Sequence, residues 1–150
     1  MKRSLFIVYG VVAFILVLQV EGFACSCNPP TVGESEKSVV SKARNRAQAV
    51  FSGMALQIIT DPAKEWVTVK FRVERSWKGS VSKEVNIVTG AHDGNCGIDF
   101  KTGEKYLVYA SRSSEGGLET GMCDRTDNLR NARKDLKILG KGKITSKSES

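Results

Sequence analysis

The sequence predicts a mainly β domain: a small five-stranded Greek-key barrel with a helix at each end, tied by two disulfides. Three observations carry that prediction. Five short segments of strand character are separated by turn residues. The four cysteines form an even set, all downstream of an apolar leader. The chain left after that leader has the length of one domain.

The leader has the character of an address rather than of structure. Lys2 and Arg3 precede an apolar run from Leu5 to Val20, and the small residues Gly22 and Ala24 stand two positions apart. That is the layout of a secretory signal peptide, with cleavage after Ala24. The run is about 16 residues, short of the roughly 20 that a membrane-spanning helix needs. Acylation of Cys25 as a lipoprotein is disfavoured by Gly22 and Phe23 in front of it. Residues 1–24 are therefore assigned to the signal peptide, 25–140 to one domain, and 141–150, lysine- and serine-rich, to a basic disordered tail. The expected location is extracellular. Losing Lys2, Arg3 and Glu21 lowers the formal charge from +7 to about +6, which suits solubility or an anionic matrix. Nucleic acid is the least natural partner of an exported chain.

Within the domain, Pro29 and Pro30 keep residues 28–33 extended. Glu34 to Arg46 has the composition of a helix, with Val39, Val40 and Ala43 available for a buried face. Ala47–Ile59 is strand-like, and Asp61-Pro62 marks a turn. From Glu65 to Trp77, Val67, Val69, Phe71 and Val73 alternate with Thr68, Lys70 and Arg72, the pattern of a half-buried strand. Lys78-Gly79-Ser80 turns the chain. Val85–Val88, Tyr106–Ala110 and Leu118–Cys123 are the remaining strand candidates. Thr126 or Asp127 is a candidate cap for a last helix carrying Leu129, Ala132, Leu136 and Leu139 and stopping at Gly140. Five strands with terminal helices fit an OB-fold-like barrel most simply.

No catalytic set is apparent. His92 is the only histidine and has no nucleophile signature beside it. The aspartates make no calcium loop, and there is no glycine-rich phosphate loop. A structural zinc site is disfavoured because Cys96 and Cys123 do not form a close pair. An enzyme is thus not indicated, and no cofactor is expected. Cysteines of an exported protein of this size read as disulfides. A Cys25–Cys27 ring would be badly strained, so each of these two reaches across the fold to Cys96 or Cys123. Cys25 then becomes the first residue after cleavage, and two disulfides anchor a terminus that would ordinarily fray. On spacing alone, a plain N-terminal strand anchor is favoured over a preformed binding element.

The run Cys25-Ser26-Cys27-Asn28-Pro29 resembles the mature start of the tissue inhibitors of metalloproteinases, and more broadly the netrin-like (NTR) domain family. Similar stretches continue at Ala47–Gly53, at Phe71–Gly79, at Cys96-Gly97-Ile98 with Gly103, Tyr106 and Leu107, and at Cys123-Asp124. The likeness covers about residues 25–139. It implies an OB-like barrel with disulfides Cys25–Cys96 and Cys27–Cys123. It also implies inhibition of a zinc metalloproteinase, in which the α-amino nitrogen and carbonyl oxygen of Cys25 chelate the enzyme's zinc. Ser26 would enter the specificity pocket, Asn28 and Pro29 would follow the cleft, and Asp93, Gly94 and Asn95 would supply the second half of a wedge. The expected partner is a metalloproteinase catalytic domain, bound by a monomer. The chain departs from the vertebrate inhibitors in lacking a third disulfide here and the cysteine-rich second domain. The Thr60–Lys64 connection is also short. Other NTR domains bind matrix or proteins without inhibiting anything, and that is the alternative reading.

Overall fold

The computed structural model describes residues 25–60, 65–91, 95–114 and 116–145. The elements are helix α1 (Glu36–Arg46), β1 (Ala49–Thr60), β2 (Trp66–Lys78), β3 (Glu84–Gly90), β4 (Lys105–Arg112) and β5 (Leu118–Glu119). A 3-10 turn (Met122–Asp124), β6 (Asp127–Asn128), helix α2 (Arg133–Leu139) and β7 (Lys143–Ile144) follow. The strands run β1-β2-β3-β5-β4, and β4 pairs back onto β1, which closes a five-stranded barrel. All ladders of that barrel are antiparallel except β3 with β5. Closure removes the open edges that a sheet of this size would otherwise expose. Among the described residues, no helix is long and apolar enough to cross a membrane.

Burial follows from what covers each strand. On β2, Val69, Phe71 and Val73 are buried inside the barrel, and Val67 packs against them, as the alternation predicts. On β1 and β4 both faces are covered. Ala49, Phe51 and Ala55 face inward with Tyr106, Val108 and Ala110. Val50, Leu107 and Tyr109 face outward, under Ala43 and Ala47 and the residues Leu129, Ala132, Leu136 and Leu139 of the α2 region. Inside, Phe71 makes edge-to-face contacts with Phe51, Phe100 and Tyr106, a geometry that adds about 0.5–1.5 kcal/mol per pair beyond burial.

Three expectations need correction. The strand predicted over Leu118–Cys123 ends at Glu119. Thr120 turns its hydroxyl onto the Tyr109 carbonyl and Thr126, and Cys123 then sits on the 3-10 turn. The last helix starts at Arg133 rather than at Thr126 or Asp127. Thr126 is buried and accepts from the Tyr109 N–H, while Asp127 and Asn128 pair with β4. Finally, the first part of the segment expected to be disordered carries β7, which pairs Ile144 with Arg75 and Lys143 with Ser76. Residues 146–150 lie outside the described residues. The first helix keeps its place: Ser35 accepts from the Ser38 N–H at its start, the usual work of an N-cap.

A buried polar network clamps the helices to the barrel. The Tyr109 hydroxyl donates to Asp135 at 2.8 Å, and the Arg125 guanidinium grips the same carboxylate with two bonds of 2.6 and 3.0 Å. Burial, then the Asp135 carboxylate, push the Tyr109 phenol far above its ordinary range. Tyr109→Phe is therefore expected to lower stability by about 1.5–3 kcal/mol, the worth of a hydrogen bond to a charged group. Urea unfolding checks this.

Candidate functional site: the cystine-tied N-terminal segment

Both disulfides implied by the resemblance are present: Cys25–Cys96 and Cys27–Cys123, with Cα separations of 5.4 and 5.3 Å. Between and beyond them, residues 25–31 run without regular structure, and Ser26, Cys27, Asn28 and Pro29 are exposed. The segment is thus presented to solvent while fixed at two points. Its conformational freedom is removed on folding, so a partner does not have to supply the ordering cost.

The anchor for Cys25 is a tightly built corner. Cys96 adopts left-handed backbone, φ 56°, which costs a non-glycine residue free energy that its surroundings must offset. Its carbonyl accepts from the Met122 N–H at 2.9 Å. Gly90 and Gly97 pass so close that a Cβ on Gly97 would collide with the Gly90 carbonyl. Only glycine permits that approach. Asn95 donates from Nδ2 to the Glu65 carbonyl at 3.0 Å, and Ala91 N–H donates to the same oxygen at 2.9 Å. Ala91 and Asn95 are therefore stapled to the turn end of the β1–β2 hairpin. The half-buried side chain of Ile98 packs against the barrel core, and its N–H donates to the buried Thr89 hydroxyl.

The anchor for Cys27 is the 3-10 turn, where the Asp124 carboxylate accepts from the Gly121 N–H at 2.9 Å. Burial raises the Asp124 pKa, with the Gly121 N–H and the Arg46 charge acting in the opposite direction. A cleft of about 310 Å³ opens there, lined by Cys27, Asn28, Arg46, Ser111, Cys123 and Asp124 among others.

Of the residues singled out in the sequence, Cys25 and Asn95 are brought together through Cys96, and Ser26, Cys27, Asn28 and Pro29 form the exposed ridge. Asp93 and Gly94, like His92, lie outside the described residues. Two exposed apolar side chains that the sequence reading passed over belong to the anchoring segments: Trp66, 52% exposed, pairs with Gly90, and Met122, 42% exposed, donates its N–H to the Cys96 carbonyl. An exposed tryptophan opening a strand was the available signal. Among the described residues, no group of three or more His, Cys, Asp or Glu side chains is placed to hold a metal. No protein-family model and no curated protein matches the chain.

Proposed function

We propose that the chain is a secreted NTR-type domain that inhibits zinc metalloproteinases, using Cys25 as its first residue after the signal peptide is removed. The observation that supports this reading is the double tie of the terminal segment, Cys25 to Cys96 and Cys27 to Cys123, with the residues between left exposed. A catalytic zinc keeps one coordination position for water or substrate. The α-amino nitrogen and carbonyl oxygen of Cys25 close a five-membered ring with such a metal and displace its water. Ser26 is the first side chain beyond that ring and enters the pocket beside the zinc. Asn28, Pro29 and Asn95 extend the contact along the cleft.

The amine binds metal only through its lone pair, so it must be unprotonated. Its pKa as a chain terminus is about 7.7–8. Below that range the neutral fraction falls tenfold per pH unit, and inhibition weakens in step. Above it, this dependence disappears. Ser26→Arg is expected to weaken inhibition by about thirtyfold or more, the effect of damaging a central hot spot, with no change in melting temperature.

The direct test titrates the mature chain against a panel of zinc endopeptidase catalytic domains. The expected result is stoichiometric inhibition of at least one enzyme, in competition with a small hydroxamate chelator. Inhibition of none would leave the alternative, a binding module for matrix or another protein.

A further inference from the structure

The two bridges that hold the N-terminal segment are not equally accessible. Cys27 and Cys123 are both exposed, whereas Cys25 and Cys96 are half-buried. Cys123 lies on the three-residue 3-10 turn, none of whose residues is buried. Both cysteines line the cleft of about 310 Å³ between the end of α1 and this turn, together with Arg46, Ser111 and Asp124. Cys96, by contrast, lies in the corner where Gly97 is pressed onto the Gly90 carbonyl and Asn95 is tied to Glu65. Its own carbonyl takes the Met122 N–H.

The cleft also carries the charge that thiol chemistry uses. Arg46, in the last turn of α1, is exposed and lines it. A guanidinium is charged at every physiological pH. Beside a disulfide, a cation attracts the attacking thiolate and stabilises the one that leaves. Asp124 lies in the same cleft, but its carboxylate is turned onto the Gly121 N–H at 2.9 Å. Access and charge therefore favour attack on the same bridge.

We propose that Cys27–Cys123 is a thiol-exchange site, opened by a dithiol while Cys25–Cys96 stays closed. One thiolate of the dithiol attacks a sulfur of the bridge, the S–S bond breaks, and its electron pair leaves on the other cysteine. The second thiol of the reductant then displaces the protein from the mixed disulfide. Two electrons pass from the dithiol to the bridge. The reductant leaves as a disulfide, and its two protons end on Cys27 and Cys123. An oxidising compartment re-forms the bridge, so the step is reversible. Opening it frees Ser26 to Pro30, which lie between Cys25 and the turn that the Glu34 N–H closes onto the Thr31 carbonyl at 2.9 Å. A partner then has to order that segment again. The consequence for inhibition rests on the metalloproteinase reading, and the exchange itself does not.

The test adds dithiothreitol in graded amounts to the full mature chain, traps free thiols with iodoacetamide at intervals, and assigns them by peptide mass spectrometry. Cys27 and Cys123 are expected to be labelled together, at least about tenfold faster than Cys25 and Cys96, because exchange rates follow access. Arg46→Gln should slow this first labelling about two- to threefold, the effect of one exposed charge, and leave the second unchanged. After removal of the reductant, the unlabelled, singly bridged chain should inhibit about tenfold more weakly, and should recover when oxidised glutathione restores the bridge. Simultaneous opening of both bridges, or opening of Cys25–Cys96 first, would overturn the proposal. So would undiminished inhibition by the singly bridged chain. The order of labelling decides the exchange site whether or not the chain inhibits an enzyme. Absence of inhibition by the unreduced chain would count against the metalloproteinase reading alone.

Discussion

One alanine placed ahead of Cys25 is expected to abolish metalloproteinase inhibition, by at least about a hundredfold, while the fold stays intact. The reason is electronic before it is steric. Acylating the Cys25 nitrogen makes it an amide, whose lone pair is delocalised into the C–N bond. That nitrogen no longer coordinates zinc, and the chelate ring loses one of its two donors. The added residue also occupies the space that the metal must enter, since consecutive Cα atoms stand about 3.8 Å apart. A hundredfold loss corresponds to about 2.7 kcal/mol, modest for removing a metal–ligand bond. Both disulfides anchor side chains rather than the amine, so the extended form should show the same melting temperature and the same two cystines by mass. Equal inhibition by both forms would show that the terminal amine is not used.

Cys27→Ala with Cys123→Ala is expected to lower stability by about 4 kcal/mol. The two cysteines are 96 residues apart in sequence. With Cys25–Cys96 in place, however, the ring that this second bridge closes runs only through residues 25–27 and 96–123. A ring of roughly 30 residues gives ~3.7 kcal/mol of loop-closure entropy, and the full separation gives ~4.7. The variant should also inhibit more weakly, because Cys27 no longer fixes the segment downstream of Cys25. Urea unfolding of the purified variant, with Cys25–Cys96 confirmed, measures the first effect. A loss below about 1 kcal/mol would mean that the 3-10 turn and α1 hold Cys27 without the bridge.

What was legible in the sequence was decided by how far apart the determining residues lie. β2 could be read from Val67, Val69, Phe71 and Val73 because its two faces meet different surroundings, core and solvent. The continuous burial of Ala49–Gly53 reflects helices covering the outer face, which local periodicity does not reveal. The end of β5 depends on Thr120 finding Tyr109 and Thr126. The late start of α2 depends on Asp127 and Asn128 pairing with β4. Both choices are tertiary.

The same distinction applies to the two sites. The cysteines announce themselves by type, and the ridge Ser26–Pro29 by its place between and beyond them. The staple from Asn95 to Glu65 spans 30 residues, and the Gly90–Gly97 approach needs the Cys96 corner to exist first. The unequal exposure of the two bridges is likewise tertiary, since it depends on that corner and on the 3-10 turn that carries Cys123.

The central claim, that Cys25 binds the target's metal, is tested most directly on an inhibited metalloproteinase catalytic domain reconstituted with cobalt(II) in place of zinc. Visible absorption reports the ligands around cobalt. The mature chain is expected to change the cobalt spectrum with a stoichiometry of one, the change weakening as pH falls below about 7.7, and the alanine-extended form is expected to produce none. Inhibition with an unchanged cobalt spectrum would contradict the claim, and would place the contact on the protease surface instead of the metal.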